Sequence, residues 1–283
     1  MTGISVLTLA RGRTAHLMNL IEGLRRSETG PAELVVIDMN DELVSLAPCR
    51  FPARFVRLPG ETLPLAAARN LAARLSSGEK LLFLDADCIP SRGLVGALDR
   101  ALDEIDALIC PKTLYLGPED ARGRWTEADL DAAGKPHPVR PFPRSGRSIE
   151  PNPGLFWSLA FGVRRATFET LGGFDEAFVG YGGEDTDLGF AAQAAGVPIV
   201  LTAEARAFHQ HHPSSDPPVE HLADIVRNAE IFRRKWGRWP MEGWLAAFER
   251  DGLIRVGAET IERLPPGAHS GPALECAREV SPV

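Results

Sequence analysis

Two acidic clusters in this chain have residue types and spacing suited to chemistry. Asp85-Ala86-Asp87 directly follows the apolar run Lys80-Leu-Leu-Phe-Leu84. Gly180-Tyr-Gly-Gly-Glu-Asp-Thr-Asp187 places acids behind a Gly-rich turn. Two carboxylates two residues apart can turn toward one cation once a strand has ended. Hard divalent ions such as Mn²⁺ and Mg²⁺ prefer oxygen ligands and often link them to substrate phosphates. A solvated turn carrying two acids is the competing reading. In the second cluster, Gly182 and Gly183 permit positive φ or close backbone approach. Glu184, Asp185 and Asp187 then crowd the first turn of a helix, where acids also favour the macrodipole. A carboxylate on such a turn, near a metal, can instead act as a general base toward an acceptor hydroxyl.

Basic and imidazole groups accompany these acids. His209, His211 and His212 follow an apolar run, and a neutral imidazole beside carboxylates suits Mn²⁺. Arg11 and Arg13 come just after the first apolar run, where guanidinium groups could meet phosphate oxygens. Arg69-Asn70 lies in an Ala-rich helix leading toward Asp85, with a structural Arg and an exposed Asn as the alternative. His16 reads as packing or capping, and His137, His221 and His269 read as surface residues.

The elements that must position these groups follow from periodicity. Ile4–Leu9, Glu33–Asp38, Arg54–Leu58, Lys80–Leu84, Ala107–Cys110 and Val197–Leu201 are short apolar runs suited to buried strands. Between them, a helix capped by Thr14 and others over Leu65–Leu75, Leu94–Leu102 and Glu184–Ala195 show helical patterns. Asp216-Pro217 marks a further helix start. The alternation predicts an α/β fold with a mostly parallel central sheet and helices on both faces. Ligands in such sheets bind beyond the carboxyl ends of the strands, where Thr8, Asp38 and Asp85 fall. Gly117–Pro153 shows neither period and reads as a flexible loop, either a functional lid or a disordered segment. The expected organisation is one domain over 1–256: a first α/β half (1–112), the loop (117–153), a second half (154–215) and C-terminal helices (216–256). A flexible tail is expected over 257–283.

Composition narrows the class. The 283 residues carry 31 Lys and Arg against 38 Asp and Glu, a net charge of −7. No basic footprint for nucleic acid follows from that balance. No apolar run approaches the ~20 residues of a membrane span. The 4 cysteines are scattered, without a C-x-x-C pair, which fits a reducing cytosolic compartment. A chain of this kind can still lie peripherally on a membrane.

Taken in order, Asp38, Arg69-Asn70, Asp85-Ala-Asp87, Gly173-Phe-Asp-Glu176 and Gly182-Gly-Glu-Asp-x-Asp187 resemble family 2 glycosyltransferases of the GT-A fold. The second half is similar to the galactosyltransferase module of β-1,4-galactosyltransferases and polypeptide N-acetylgalactosaminyltransferases. Arg11-Gly-Arg13 is similar to the donor loop of the former, although Leu9 stands where those enzymes carry Pro. The resemblance implies an inverting transfer of a hexose (galactose, N-acetylgalactosamine or glucose) from a UDP-sugar to a saccharide or other hydroxyl acceptor. It implies that Asp38 contacts the base, that Thr8, Arg11, Arg13, Arg69, Asn70 and Ala86 line the donor pocket, and that Asp85 approaches ribose or donor sugar. Asp87 would hold Mn²⁺ or Mg²⁺ with a later histidine, His209 fitting best and His211 or His212 remaining open. Asp185 would be the base and Glu184 would hold hydroxyls. Trp157, Tyr181 and Gly183 complete the expected acceptor side. A silent nucleotide-sugar-binding scaffold and a sugar-phosphate nucleotidyltransferase are the competing functions.

Overall fold

A computed structural model describes residues 3–40, 49–60, 63–213 and 215–265. Its strands are β1 (Ile4–Ala10), β2 (Glu33–Asp38), β3 (Ala53–Arg57), β4 (Lys80–Leu84), β5 (Cys88–Pro90), β6 (Leu108–Tyr115), β7 (Lys135–Pro136), β8 (Arg147–Glu150), β9 (Ala160–Arg164), β10 (Ile199–His209), β11 (Ile254–Val256) and β12 (Ile261–Arg263). The helices are α1 (Thr14–Arg25), α2 (Leu65–Leu75), α3 (Leu94–Glu104), α4 (Glu127–Ala133), α5 (Arg165–Thr170), α6 (Glu184–Ala194), α7 (Leu222–Trp236) and α8 (Glu242–Arg250).

The main sheet runs β3-β2-β1-β4-β9-β6-β10-β5, with β7 beside β6 and β8 beside β10. β1 to β4 pair in parallel, as do β6 and β10. β9 runs antiparallel between β4 and β6, so those parallel strands all point one way. Their alternate side chains enter two apolar layers, which explains near-continuous hydrophobic runs. Leu82 and Leu84 pack with Leu17 and Leu20 of α1 and Leu98 of α3. Leu81 and Phe83 pack on the other face with Ala68 and Ala72 of α2, Phe168 of α5 and Leu188 of α6.

Several expectations are corrected. Thr14 is the first residue of α1; Arg13 holds the cap position, and its side chain makes no capping bond. β6 continues past Cys110 to Tyr115, although Pro111 and Lys112 interrupt its apolar pattern. β10 continues past Leu201 to His209 through a register shift between Thr202 and Arg206. α7 begins at Leu222, beyond Asp216. The expected lid is built into the fold: a Thr126–Asp129 capping box starts α4, and Trp125 and Leu130 are buried with Ile89, Leu114 and Phe208. The expected tail opens with the turn and the second strand, β12, of the β11–β12 hairpin, and Ile261 joins the α7–α8 core. Residues 266–283, with His269 and Cys276, lie outside the described residues. Among the described residues no helix is long and apolar enough to cross a membrane.

Candidate active site

One guanidinium joins the two acidic clusters. Arg69 of α2 is 5% exposed. Its Nη2 donates to Asp85 Oδ1 at 3.1 Å and its Nη1 to Glu184 Oε1 at 3.0 Å. The end of β4 and the first turn of α6 therefore share one buried cation. Burial raises the affinity of these carboxylates for protons, and the Arg69 charge opposes it. Burial wins: Asp85 and Asp185 are both pushed up, and Glu184, which also faces Asp185, is pushed up to about 7. Thr8 lines the same recess as Arg69 and Asp85, and its buried Oγ1 has no partner.

A second corner forms around Asp87. The antiparallel β5–β10 register sets Cys88 opposite His209, which carries His209 to the neighbouring carboxylate. His209 Nε2 lies 3.6 Å from Asp87 Oδ1, and His212 Nε2 lies 3.6 Å from Asp87 Oδ2. One ligand atom from each of the three residues lies within 4.8 Å of the others. A carboxylate oxygen with two imidazole nitrogens is a donor set that fits Mn²⁺ and its neighbours. Arg13 Nη1 also pairs with Asp87 Oδ2. Burial pushes the Asp87 carboxyl up, but the facing His209 and Arg13 outweigh it and hold it below the usual range. His211 is exposed and offers its carbonyl to His16 Nε2 at 3.1 Å, so His212 joins His209 at the corner.

The turn before α6 depends on its glycines and on α7. Gly183 has φ +97 at the helix cap, a conformation that strains any residue with a Cβ. A Cβ on Gly180 would strike the Asp224 carboxylate. Asn228 is 0% exposed and its Nδ2 donates to Gly182 O at 2.7 Å and Val179 O at 3.0 Å. Asn228→Ala is expected to cost about 2–3 kcal/mol, because buried carbonyls lose their donor. A shift of the urea midpoint would measure it; a loss below about 0.5 kcal/mol would deny the clamp. Beside the turn, the Tyr181 ring stacks on His221 at 4.4 Å, and burial pushes its hydroxyl up to about 12. Trp157 meets the edge of His137 at 4.8 Å.

Comparison with known proteins decides the family. The model for glycosyl transferase family 2 matches residues 5–172. The chain belongs to this family. A second model, N-terminal domain of galactosyltransferase, matches residues 154–213 of this chain. Validoxylamine A glucosyltransferase of Streptomyces hygroscopicus subsp. limoneus is 26% identical over 264 residues, covering 82% of this chain and 56% of that protein. Pre-mycofactocin glycosyltransferase of Mycobacterium tuberculosis is 31% identical over 150 residues, covering 52% and 30%. The chain thus spans about half or less of the length of these relatives. GalNAc-T7 solved with UDP, GalNAc and Mn²⁺ superposes at a TM-score of 0.52, with 16% identity over 89% of this chain and 58% of that one. Residues 1–349 of S. aureus TarS, in complex with UDP-GlcNAc, superpose at 0.55, with 14% identity over 86% and 75%. These likenesses carry the GT-A fold, and the family match favours the glycosyltransferase family over the nucleotidyltransferase reading.

The geometry redistributes several expected roles. Arg69 is sequestered between carboxylates rather than open to a donor. Asn70 is a brace: its Nδ2 donates to Phe174 O at 2.8 Å and its Oδ1 accepts from Phe174 N at 2.9 Å. Asp187 leaves the acidic cluster, bound by Trp236 Nε1 at 2.7 Å and Lys235 Nζ at 2.9 Å. Asp38 is buried at the end of β2, and one oxygen holds Asn40 Nδ2 at 2.7 Å. The Ala86 methyl belongs to the core, and Arg11 is exposed. His137 and His221 are half-buried against Trp157 and Tyr181 rather than on the surface. Reasoning from sequence missed Asn228 and Arg140. The signal for Asn228 was a lone amide inside the apolar face Leu222, Ile225, Val226, Ala229 and Phe232. Arg140 had no periodic context to mark it.

Proposed function

We propose that the glycosyltransferase moves a hexose from a UDP-sugar to a saccharide or other hydroxyl acceptor, inverting the anomeric carbon, with Mn²⁺ or Mg²⁺ held by Asp87, His209 and His212. The observation that carries this reading is the Arg69 bridge between Asp85 and Glu184, which makes one site of the two acidic clusters. The structural relative solved with UDP, GalNAc and Mn²⁺ supports the donor and metal class.

In this reading Asp185 takes the proton of the acceptor hydroxyl as its oxygen attacks the anomeric carbon. The bond to the diphosphate breaks from the opposite face, and its electrons stay on the leaving UDP. When bound, the divalent ion supplies electrostatic stabilisation of that leaving charge. Arg13, once it releases Asp87, offers its guanidinium to phosphate oxygens. Glu184, poised near neutrality, can donate to or accept from a sugar hydroxyl. Half-buried Tyr181 and Trp157 give the acceptor sugar apolar ring surface.

Calorimetric titration of UDP-galactose, UDP-N-acetylgalactosamine and UDP-glucose, with Mn²⁺ and with EDTA, tests the donor assignment. GDP-mannose is the control. One UDP-sugar is expected to bind in a metal-dependent manner. Absence of binding by every UDP-sugar to folded, metal-loaded protein would overturn the assignment.

A further inference from the structure

A chain of side-chain hydrogen bonds behind the Asp87 corner has no part in the mechanism above. Trp125 Nε1 donates to Asn19 Oδ1 at 3.1 Å. Asn19 Nδ2 donates to Ala121 O at 2.9 Å and to Gln210 Oε1 at 2.7 Å. Gln210 Nε2 donates to His16 O at 3.1 Å. Gln210 is 3% exposed, and the Trp125 ring is buried with Ile89, Leu114 and Phe208. The direction of the chain is fixed at both ends. An indole N–H only donates and a backbone carbonyl only accepts, so each amide has one orientation that satisfies its neighbours.

The place of Gln210 gives this network a task. It stands between the two imidazoles that face Asp87. His209 is fixed without it, since it closes β10 in register with Cys88 and Tyr115. His212 comes three residues after that ladder ends, yet its Nε2 lies 3.6 Å from Asp87 Oδ2. The segment that carries it there is pinned at residues 210 and 211. Gln210 N donates to Asp87 O at 2.8 Å. Its side-chain amide is held on α1 by His16 and Asn19, one turn apart on the same helix face. His211 O lies 3.1 Å from His16 Nε2. The amide therefore ties the exit of β10 to α1 two residues before His212, and Trp125 extends the tie to the segment that leads into α4.

We propose that Gln210 is the positioning residue for His212 at the metal corner, with Asn19 and Trp125 setting the orientation of its amide. This rests on the proposal that Asp87, His209 and His212 hold the divalent ion. Both ends of the Gln210 amide are engaged by Asn19 and His16, so it acts through the backbone and not as a ligand.

The test titrates Mn²⁺ into the full chain with UDP present and reads the free ion by electron paramagnetic resonance, without turnover. Gln210→Met keeps the side-chain length and removes both amide bonds; its Mn²⁺ affinity is expected to fall about 10-fold, the lower end for residues that orient metal ligands. Trp125→Phe removes only the indole N–H at the far end, and is expected to weaken Mn²⁺ by about 3-fold, because Asn19 loses the donor that fixes its orientation. Each substitution is repeated on His212→Ala, where it should cost less than about two-fold, since the ring being positioned is gone. If Gln210→Met fails to fold, the Trp125→Phe cycle decides. Wild-type Mn²⁺ affinity in the folded single variants, or an equal loss with and without His212, would overturn the proposal. His212→Ala alone separates the two failures: if it keeps wild-type Mn²⁺ affinity, the assignment of His212 to the metal fails and this inference with it.

Discussion

Asp185→Asn is expected to lower kcat by about 10²–10⁴-fold, the usual worth of a positioned general base. UDP-sugar affinity should change less than about two-fold, since uniform binding and catalysis are separable. The substitution is nearly isosteric. An Asn carbonyl can still accept from the Thr186 N–H, so the first turn of α6 keeps its geometry. What disappears is the ability to take a proton. Because burial pushes the native carboxyl up, wild-type turnover should itself fall on the acid side, where the base becomes protonated. Calorimetry and UDP release, run on the same preparations, check both halves. A variant that loses donor binding in step with turnover would remove Asp185 from the role of base.

Asp87→Ala has the second large effect. Asp87 is the carboxylate partner of both His209 and His212, and without it the corner offers two imidazoles beside the Arg13 guanidinium. That arrangement repels a divalent cation. Affinity for Mn²⁺ in the presence of the UDP-sugar should fall by at least about 100-fold, since even outer residues of metal sites cost 10–100-fold. The free Mn²⁺ spectrum in electron paramagnetic resonance reads this directly, without turnover. EDTA on the wild-type chain should reproduce the loss of donor binding. Metal-dependent donor binding that survives in Asp87→Ala would place the ion elsewhere.

Much of this architecture was legible in the sequence because the strands are buried on both faces. Glu33–Asp38, Leu65–Leu75 and Lys80–Leu84 match the structure residue for residue, since packing there permits few alternatives. The periods fail where polar residues sit within regular structure. Glu204 and Arg206 on β10 broke the apolar pattern, yet the strand passes its register shift and continues to His209. The Pro-rich and Arg-rich stretch 117–153 hid α4 and β8, whose order comes from a capping box and pairing with β10 rather than from a periodic face. At the site, residue types identified the acids and the imidazoles. Which histidine faces Asp87, and which acid faces Lys235, depended on registers and helix rotations that no spacing encodes.

The antiparallel strand in the middle of the sheet has a consequence for how this chain is made. β4 and β6 each pair with β9, which supplies the link between the two halves of the sheet. Lys80 waits for Arg164, so the halves join through a loop closure across most of the intervening chain. Closures of that span are slow steps. A nascent chain still short of Ala160 carries β4 and β6 as two open apolar edges, the kind of surface that templates aggregation. The Asp185 helix emerges later still. The 1–112 half, although it carries the first acidic pair, is therefore expected to aggregate when expressed alone, and chaperone demand should peak just before residues 160–164 arrive.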